Sequence, residues 1–268
     1  MNSWWLKYYL ASFTFLLSLS LLLSIFVPSN LYLEIGEVSL IFFLWYLLSP
    51  FIMIFSLRLK RNEDLNLERL VEYTAGLFKI EKPKVFIAKT NYSNAIAFGN
   101  VFYRAIAYTE GLLNALQDNE IIGVTAHEIS HLKNYDMEIQ TIGLIAYNIL
   151  YIYLTNLSLA FAIPMFLLAF PIFISIHRIM EKRADITAVK DNRWLTVYLE
   201  NALIKIGYLG RTIPNYLLKN IPDFQLYFIK QELISNHEEG NSFLRTHPSL
   251  PDRLKYLSKY EITPTPSP

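Results

Sequence analysis

The chain has 268 residues, of which 53% are hydrophobic and only 18% charged, with a formal net charge of +1 and no cysteine. So little charge is unlike an ordinary soluble domain, and a balance this near neutrality argues against a nucleic-acid partner or an acidic tail. Without cysteine there can be no disulfide and no thiol nucleophile, so any zinc site must be built from histidines and carboxylates.

Leu10 to Val27 is Leu-rich and uncharged, and Leu40 to Leu57 is uncharged as well. Each run is long enough to cross the ~30 Å hydrocarbon core of a bilayer. Apolar runs of ~18 residues are rare as buried core helices. Val27-Pro28-Ser29-Asn30 offers no small-residue cleavage site, and a second apolar run follows almost at once. Residues 1–61 therefore read as a retained transmembrane hairpin rather than a removed signal peptide. Arg58, Lys60 and Arg61 flank the second span. The loop before it, taken as Ser29 to Glu37, carries Glu34 and Glu37 and no basic residue. Together with Lys7, this asymmetry puts the loop outside and the chain from Arg58 onward in the cytoplasm.

Residues 62–135 turn mixed and globular. Leu65, Leu67, Leu70, Val71, Leu77 and Phe78 recur with helical period behind Asp64, a candidate cap. Lys84 to Ala88 follows Pro83 and predicts a strand. Ala95 to Phe98 and Arg104 to Tyr108 predict two more, with a turn at Gly99-Asn100. Thr109 opens a short helix through Leu116. Asp118 or Asn119 caps the next, from Glu120 to Lys133. Within that helix stands His127-Glu128-Ile129-Ser130-His131, an HExxH motif. Its spacing sets two imidazoles one turn apart on one helical face, the geometry that grips a tetrahedral zinc ion. Glu128 lies between them, positioned to take a proton from a water at the metal.

Gly143 to Ile176 is uncharged throughout. As one helix it would run ~51 Å, longer than a hydrocarbon core. A zinc ligand beyond this stretch must lie on the same side of the membrane as His127 and His131, so only zero or two crossings are allowed. Two crossings leave about 17 residues each, with Thr155-Asn156-Leu157-Ser158 or Pro164 as the break. We read 136–177 as a second hairpin, giving four spans in all. Residues 178–262 are polar and helical again, with candidate helices at Arg178 to Lys190, Arg193 to Tyr208, Asn215 to Ile234 and Asp252 to Tyr260. The Pro-rich tail 263–268 reads as disordered.

A catalytic zinc needs a third protein ligand and an open position. The candidate is Glu181, in Glu181-Lys182-Arg183-Ala184-Asp185-Ile186-Thr187-Ala188. Glu181, Asp185 and Ala188 share a helical face. Glu181 can then bind metal while Asp185 accepts a proton from a ligand histidine. His177, one turn earlier, fits the His₂Glu set less well.

HExxH followed by E-x-x-A-D-x-x-A resembles the integral-membrane zinc metallopeptidases of the HtpX type, related to the Ste24 prenyl-protein proteases. The resemblance runs from about Lys84 to Pro248, and the two leading spans match the layout. It implies a mainly α fold with a small β-sheet, a zincin-like domain combined with transmembrane helices, and one Zn2+ per chain. It also implies endopeptidase activity on unfolded or membrane polypeptides in membrane-protein quality control. The family's substrate-binding Asn-Ala-Phe strand corresponds to Asn94-Ala95-Ile96, with Ile in place of the aromatic. Its late His-Pro corresponds to His247-Pro248, which makes His247 an oxyanion stabiliser. Substrate would add as a strand along Ala95 to Phe98. Three other readings stand beside this one. A prenyl-protein protease would have more spans than this chain. An intramembrane protease would bury its motif within an apolar span, whereas this helix carries Asp118, Glu120 and Lys133. A non-catalytic membrane scaffold would be expected to lose Glu128, which is present.

Overall fold

The computed structural model describes residues 3–26, 28, 30–235 and 248–261. The Pro-rich tail and His247 lie outside the described residues. The described chain is mainly helical with one four-stranded sheet, and it resolves into two compact units.

The first unit holds residues 1–60, 98–104 and 135–173. It contains α1 (Ser3–Ser24), α2 (Leu31–Ser56), α6 (Asp136–Leu157) and the first half of α7 (Leu159–Val189). These four helices are each long and apolar enough to cross a membrane. Helix α2 starts well before Leu40, so Glu34 and Glu37 lie on a helix and not in the expected loop. The cause is local: Asn30 Oδ1 accepts the Tyr32 N–H at 3.0 Å and caps the helix, which a count of apolar residues does not register. The break between α6 and α7 falls at Ser158, which is extended, while Pro164 and Pro171 remain inside α7.

The second unit holds residues 61–97, 105–134 and 174–268. Asp64 Oδ1 accepts the Asn66 N–H at 2.8 Å and opens α3 (Leu65–Phe78). The sheet runs in the order β1 (Lys60–Arg61), β2 (Lys84–Ala88), β4 (Tyr103–Thr109), β3 (Ala95–Asn100). β2 and β4 are parallel, with Lys84 opposite Ala105 and Ala88 opposite Thr109. β3 is thus a sheet edge.

The β3–β4 turn is Val101-Phe102, two residues later than the sequence suggests. Gly99 sits inside the strand at φ 140°, where a side chain would meet the Tyr103 carbonyl oxygen at 1.9 Å. Thr109 caps α4 (Glu110–Ala115), its Oγ1 accepting the Leu112 N–H at 3.3 Å. α5 (Asp118–Lys133) is capped by Gln117 and not by Asp118 or Asn119. The Gln117 N–H donates to Glu120 Oε2 at 2.8 Å, and Glu120 also meets Lys205 Nζ at 2.7 Å; both charged groups are fully buried. α5 packs on α3 and on α8 (Leu195–Gly207). Gly123 allows the second contact, since a Cβ there would lie 2.6 Å from the Leu199 amide nitrogen. The helix expected from Asn215 to Ile234 is two, α9 (Asn215–Leu218) and α10 (Asp223–Ser235), because Pro222 interrupts it. α11 (Leu250–Leu257) starts two residues early under a Ser249 cap.

Candidate metal centre

α5 carries His127, Glu128 and His131, and α7 carries Glu181 and Asp185. All five belong to the second unit. On α5 the i, i+4 spacing stacks the two imidazoles along one face. Their Nε2 atoms are 3.2 Å apart. Glu181 lies across from them, Oε2 at 3.8 Å from His127 Nε2 and Oε1 at 3.5 Å from His131 Nε2. These three are the one group of potential metal-binding side chains among the described residues, with ligand atoms all within 4.8 Å of one another. Ligands bound at 2.0–2.1 Å in a tetrahedron would be separated by about 3.3 Å. The observed spacings bracket that value, so the donors fit a zinc-sized ion, and two neutral imidazoles with one carboxylate is a catalytic ligand set.

The histidine facing α7 is held from behind. His127 Nδ1 lies 2.8 Å from Asp185 Oδ1, which leaves Nε2 for a metal. Asp185 is completely buried. Arg253 on α11 grips its carboxylate with both arms, Nε to Oδ2 at 2.8 Å and Nη2 to Oδ1 at 2.6 Å. The Tyr256 hydroxyl donates to the same carboxylate. Burial by itself would raise the Asp185 pKa; the Arg253 guanidinium and His127 outweigh it and hold the carboxyl well below the usual range.

Glu128 is buried, and its Oε2 accepts the Ala97 N–H of β3 at 2.5 Å. Asn94 and Ala95 stand at the start of that edge strand. The Asn94 carbonyl accepts from the Thr109 N–H at 3.0 Å and the Thr109 hydroxyl at 2.9 Å, while its N–H donates to that hydroxyl at 2.9 Å. Asn94 is therefore committed to β4, and the backbone groups that face the open edge begin at Ala95. His177 Nε2 is 3.7 Å from Glu181 Oε1 and does not join the three-residue group.

Sequence reasoning did not single out Arg253, Tyr256 or the Ala97 amide. Arg253 and Tyr256 share an i, i+3 face of a short helix, but nothing in that spacing names Asp185 as their partner. The Ala97 contact is a backbone group and has no residue signature at all.

The model of a family described as Peptidase family M48 matches residues 61–261. A protease HtpX homolog from Campylobacter hominis is 29% identical over 225 residues, 76% of this chain and 78% of that protein. Another, from Campylobacter curvus, is 32% identical over 216 residues, 71% and 72% of the two chains. Among solved structures, the crystal structure of S. mikatae Ste24p superposes with a TM-score of 0.65 at 21% identity, over 95% of this chain and 66% of that one. This last likeness is one of fold.

Proposed function

The chain belongs to peptidase family M48 as a multi-pass membrane metalloprotease, and we propose that it is a zinc-dependent endopeptidase acting on unfolded or damaged membrane proteins. Its catalytic unit faces the cytoplasm. The observation that carries this reading is the convergence of His127, His131 and Glu181 beside Glu128. Those three side chains would hold one Zn2+, which supplies Lewis acidity toward water and the scissile carbonyl.

Glu128 accepts the proton of the attacking water and returns it to the departing amine. The Ala97 N–H fixes that carboxylate against β3. Asp185, locked by Arg253, keeps His127 in the tautomer that presents Nε2. A substrate strand laid along β3 from Ala95 would be read through its backbone, which suits broad specificity. Asn94 would shape the start of that edge, and His247 would stabilise the oxyanion. The relatives are named as HtpX homologs, the type whose resemblance implies the quality-control role.

The test is zinc quantitation beside casein cleavage on purified protein. Wild type should carry about one zinc per chain and lose cleavage to a chelator. Glu128→Gln should keep the zinc and lose activity by at least 10²–10⁴-fold, roughly the worth of a general base. A zinc-loaded Glu128→Gln protein that still cleaves casein would overturn the assignment.

A further inference from the structure

The turn between β3 and β4 is tied to the apolar helices of its own unit. Asn100 Oδ1 accepts the Phe102 and Tyr103 N–H groups, each at 3.0 Å. Asn100 Nδ2 donates to the carbonyls of Tyr46 at 3.3 Å and Leu47 at 3.1 Å, within α2. The Tyr46 carbonyl has no helical partner because the residue four positions on is Pro50, which lacks an N–H. The Asn100 amide, together with the Ser49 hydroxyl at 3.1 Å, fills that vacancy. The Val101 N–H donates to the Tyr46 hydroxyl at 2.9 Å, and that hydroxyl donates to Glu138 Oε1 of α6 at 3.0 Å. The Tyr103 and Phe51 ring centroids are 5.3 Å apart, and the Arg104 guanidinium lies 4.9 Å from the centre of the Tyr135 ring.

What the turn shows to its surroundings is the reverse of its anchoring side. Asn100 is 2% exposed, while Phe102 is 84% and Val101 47% exposed. A two-residue hairpin turn in water ordinarily carries Gly, Asn or Asp; this one carries a branched aliphatic and a phenyl ring. α2 continues the apolar surface on either side of Tyr46, with Phe43, Leu48, Phe51 and Phe55 all exposed. Tyr46, Tyr135 and Arg104 are residue types that settle at a membrane–water boundary, the aromatics by their amphipathic rings and arginine by its long stem.

We infer that Val101-Phe102 is a membrane anchor that does not span: Phe102 enters the acyl-chain boundary of the leaflet that α2 and α6 share with it, and Arg104 and Tyr135 sit at headgroup level. Lipid is the occupant because the turn packs on α2 through the Tyr103 and Phe51 rings, on a membrane-length helix whose Phe43, Leu48, Phe51 and Phe55 are exposed, while protein satisfies its polar side. A single phenyl ring on a turn is also too small a surface to hold a protein partner by itself. This inference needs the membrane helices and does not rest on the peptidase reading.

The test uses the full chain in phosphatidylcholine vesicles. Phe102→Cys supplies the only thiol and is labelled with bimane; quenching by doxyl-labelled lipid is compared with quenching by aqueous iodide. Phe13→Cys in α1 and Tyr73→Cys in α3, both exposed, give the lipid and water references. Val101→Cys is a second reporter should labelling at 102 perturb the turn. The expected result is a lipid-to-iodide quenching ratio close to that at 13 and several-fold above that at 73. A ratio equal to that at 73 overturns the anchor. Protection from both quenchers overturns it too, since it means that a second copy or a polypeptide covers the turn.

Discussion

Replacing Arg253 with leucine should cost both stability and metal affinity, in amounts the geometry allows to be worked out. Leucine keeps the aliphatic part of the side chain but removes the fork that holds both oxygens of Asp185 at 2.8 and 2.6 Å. Asp185 is wholly enclosed, so its charge would be left with Tyr256 and His127 alone. Removing one partner of a buried pair costs about 3–5 kcal/mol. For a unit of this size, at roughly 2–4 °C per kcal/mol, the melting temperature should fall by roughly 6–20 °C. His127 would lose its fixed orientation at the same time, which should weaken zinc binding by about 10–100-fold. Arg253→Lys restores a positive charge but not the planar fork, so it should fall between the two. Melting followed by tryptophan fluorescence in detergent, with zinc competition against a chromophoric chelator, measures both quantities. Arg253→Leu protein with an unchanged melting temperature and an unchanged zinc affinity would refute the claim that α11 holds the back of the metal centre.

Glu200 should make stability fall as pH rises. Burial pushes its pKa up to about 7 despite Lys230 at 2.7 Å; the folded value exceeds the unfolded one, so its contribution is complete below the unfolded pKa and is lost as pH climbs through about 7. Glu200→Gln should remove this slope, worth at most about 3–4 kcal/mol at about 1.4 kcal/mol per unit. A melting-temperature difference between wild type and Glu200→Gln that is constant from acid to neutral pH would refute it. For orientation, an impermeant thiol reagent on intact cells should label Tyr32→Cys, at the start of α2, and spare Glu63→Cys, just beyond its end. The opposite pattern would invert the topology drawn from Arg58, Lys60 and Arg61.

The parts of this molecule legible in the sequence are those fixed by neighbours a few residues apart. Apolar runs mark the four long helices, Asp64 and Thr109 mark caps, and the i, i+4 histidines mark the candidate metal-binding face, because each depends on local spacing. The shifted starts of α2, α5 and α11 turn on local caps at Asn30, Gln117 and Ser249 that an apolar count does not register, whereas what escaped at the β3–β4 turn and behind the metal centre depends on partners far along the chain. The turn shifts from Gly99-Asn100 to Val101-Phe102 because Asn100 turns its side chain to the carbonyls near Pro50, more than fifty residues away. Arg253 and Tyr256 meet Asp185 across 68 and 71 residues. A charged residue on a short helix has no local mark that distinguishes a solvated arginine from one that closes a buried carboxylate. The same limit explains the Ala97 contact, where the donor is backbone and any residue but proline would serve. The two candidate ligands on α5 are thus written locally, whereas the groups that hold the candidate ligand set in position are supplied by the tertiary fold. Substitutions in the supporting set should therefore act through metal affinity and stability, and the isosteric Glu128→Gln chiefly through turnover. That separation makes the two classes distinguishable in one preparation by measuring zinc content, melting temperature and turnover together.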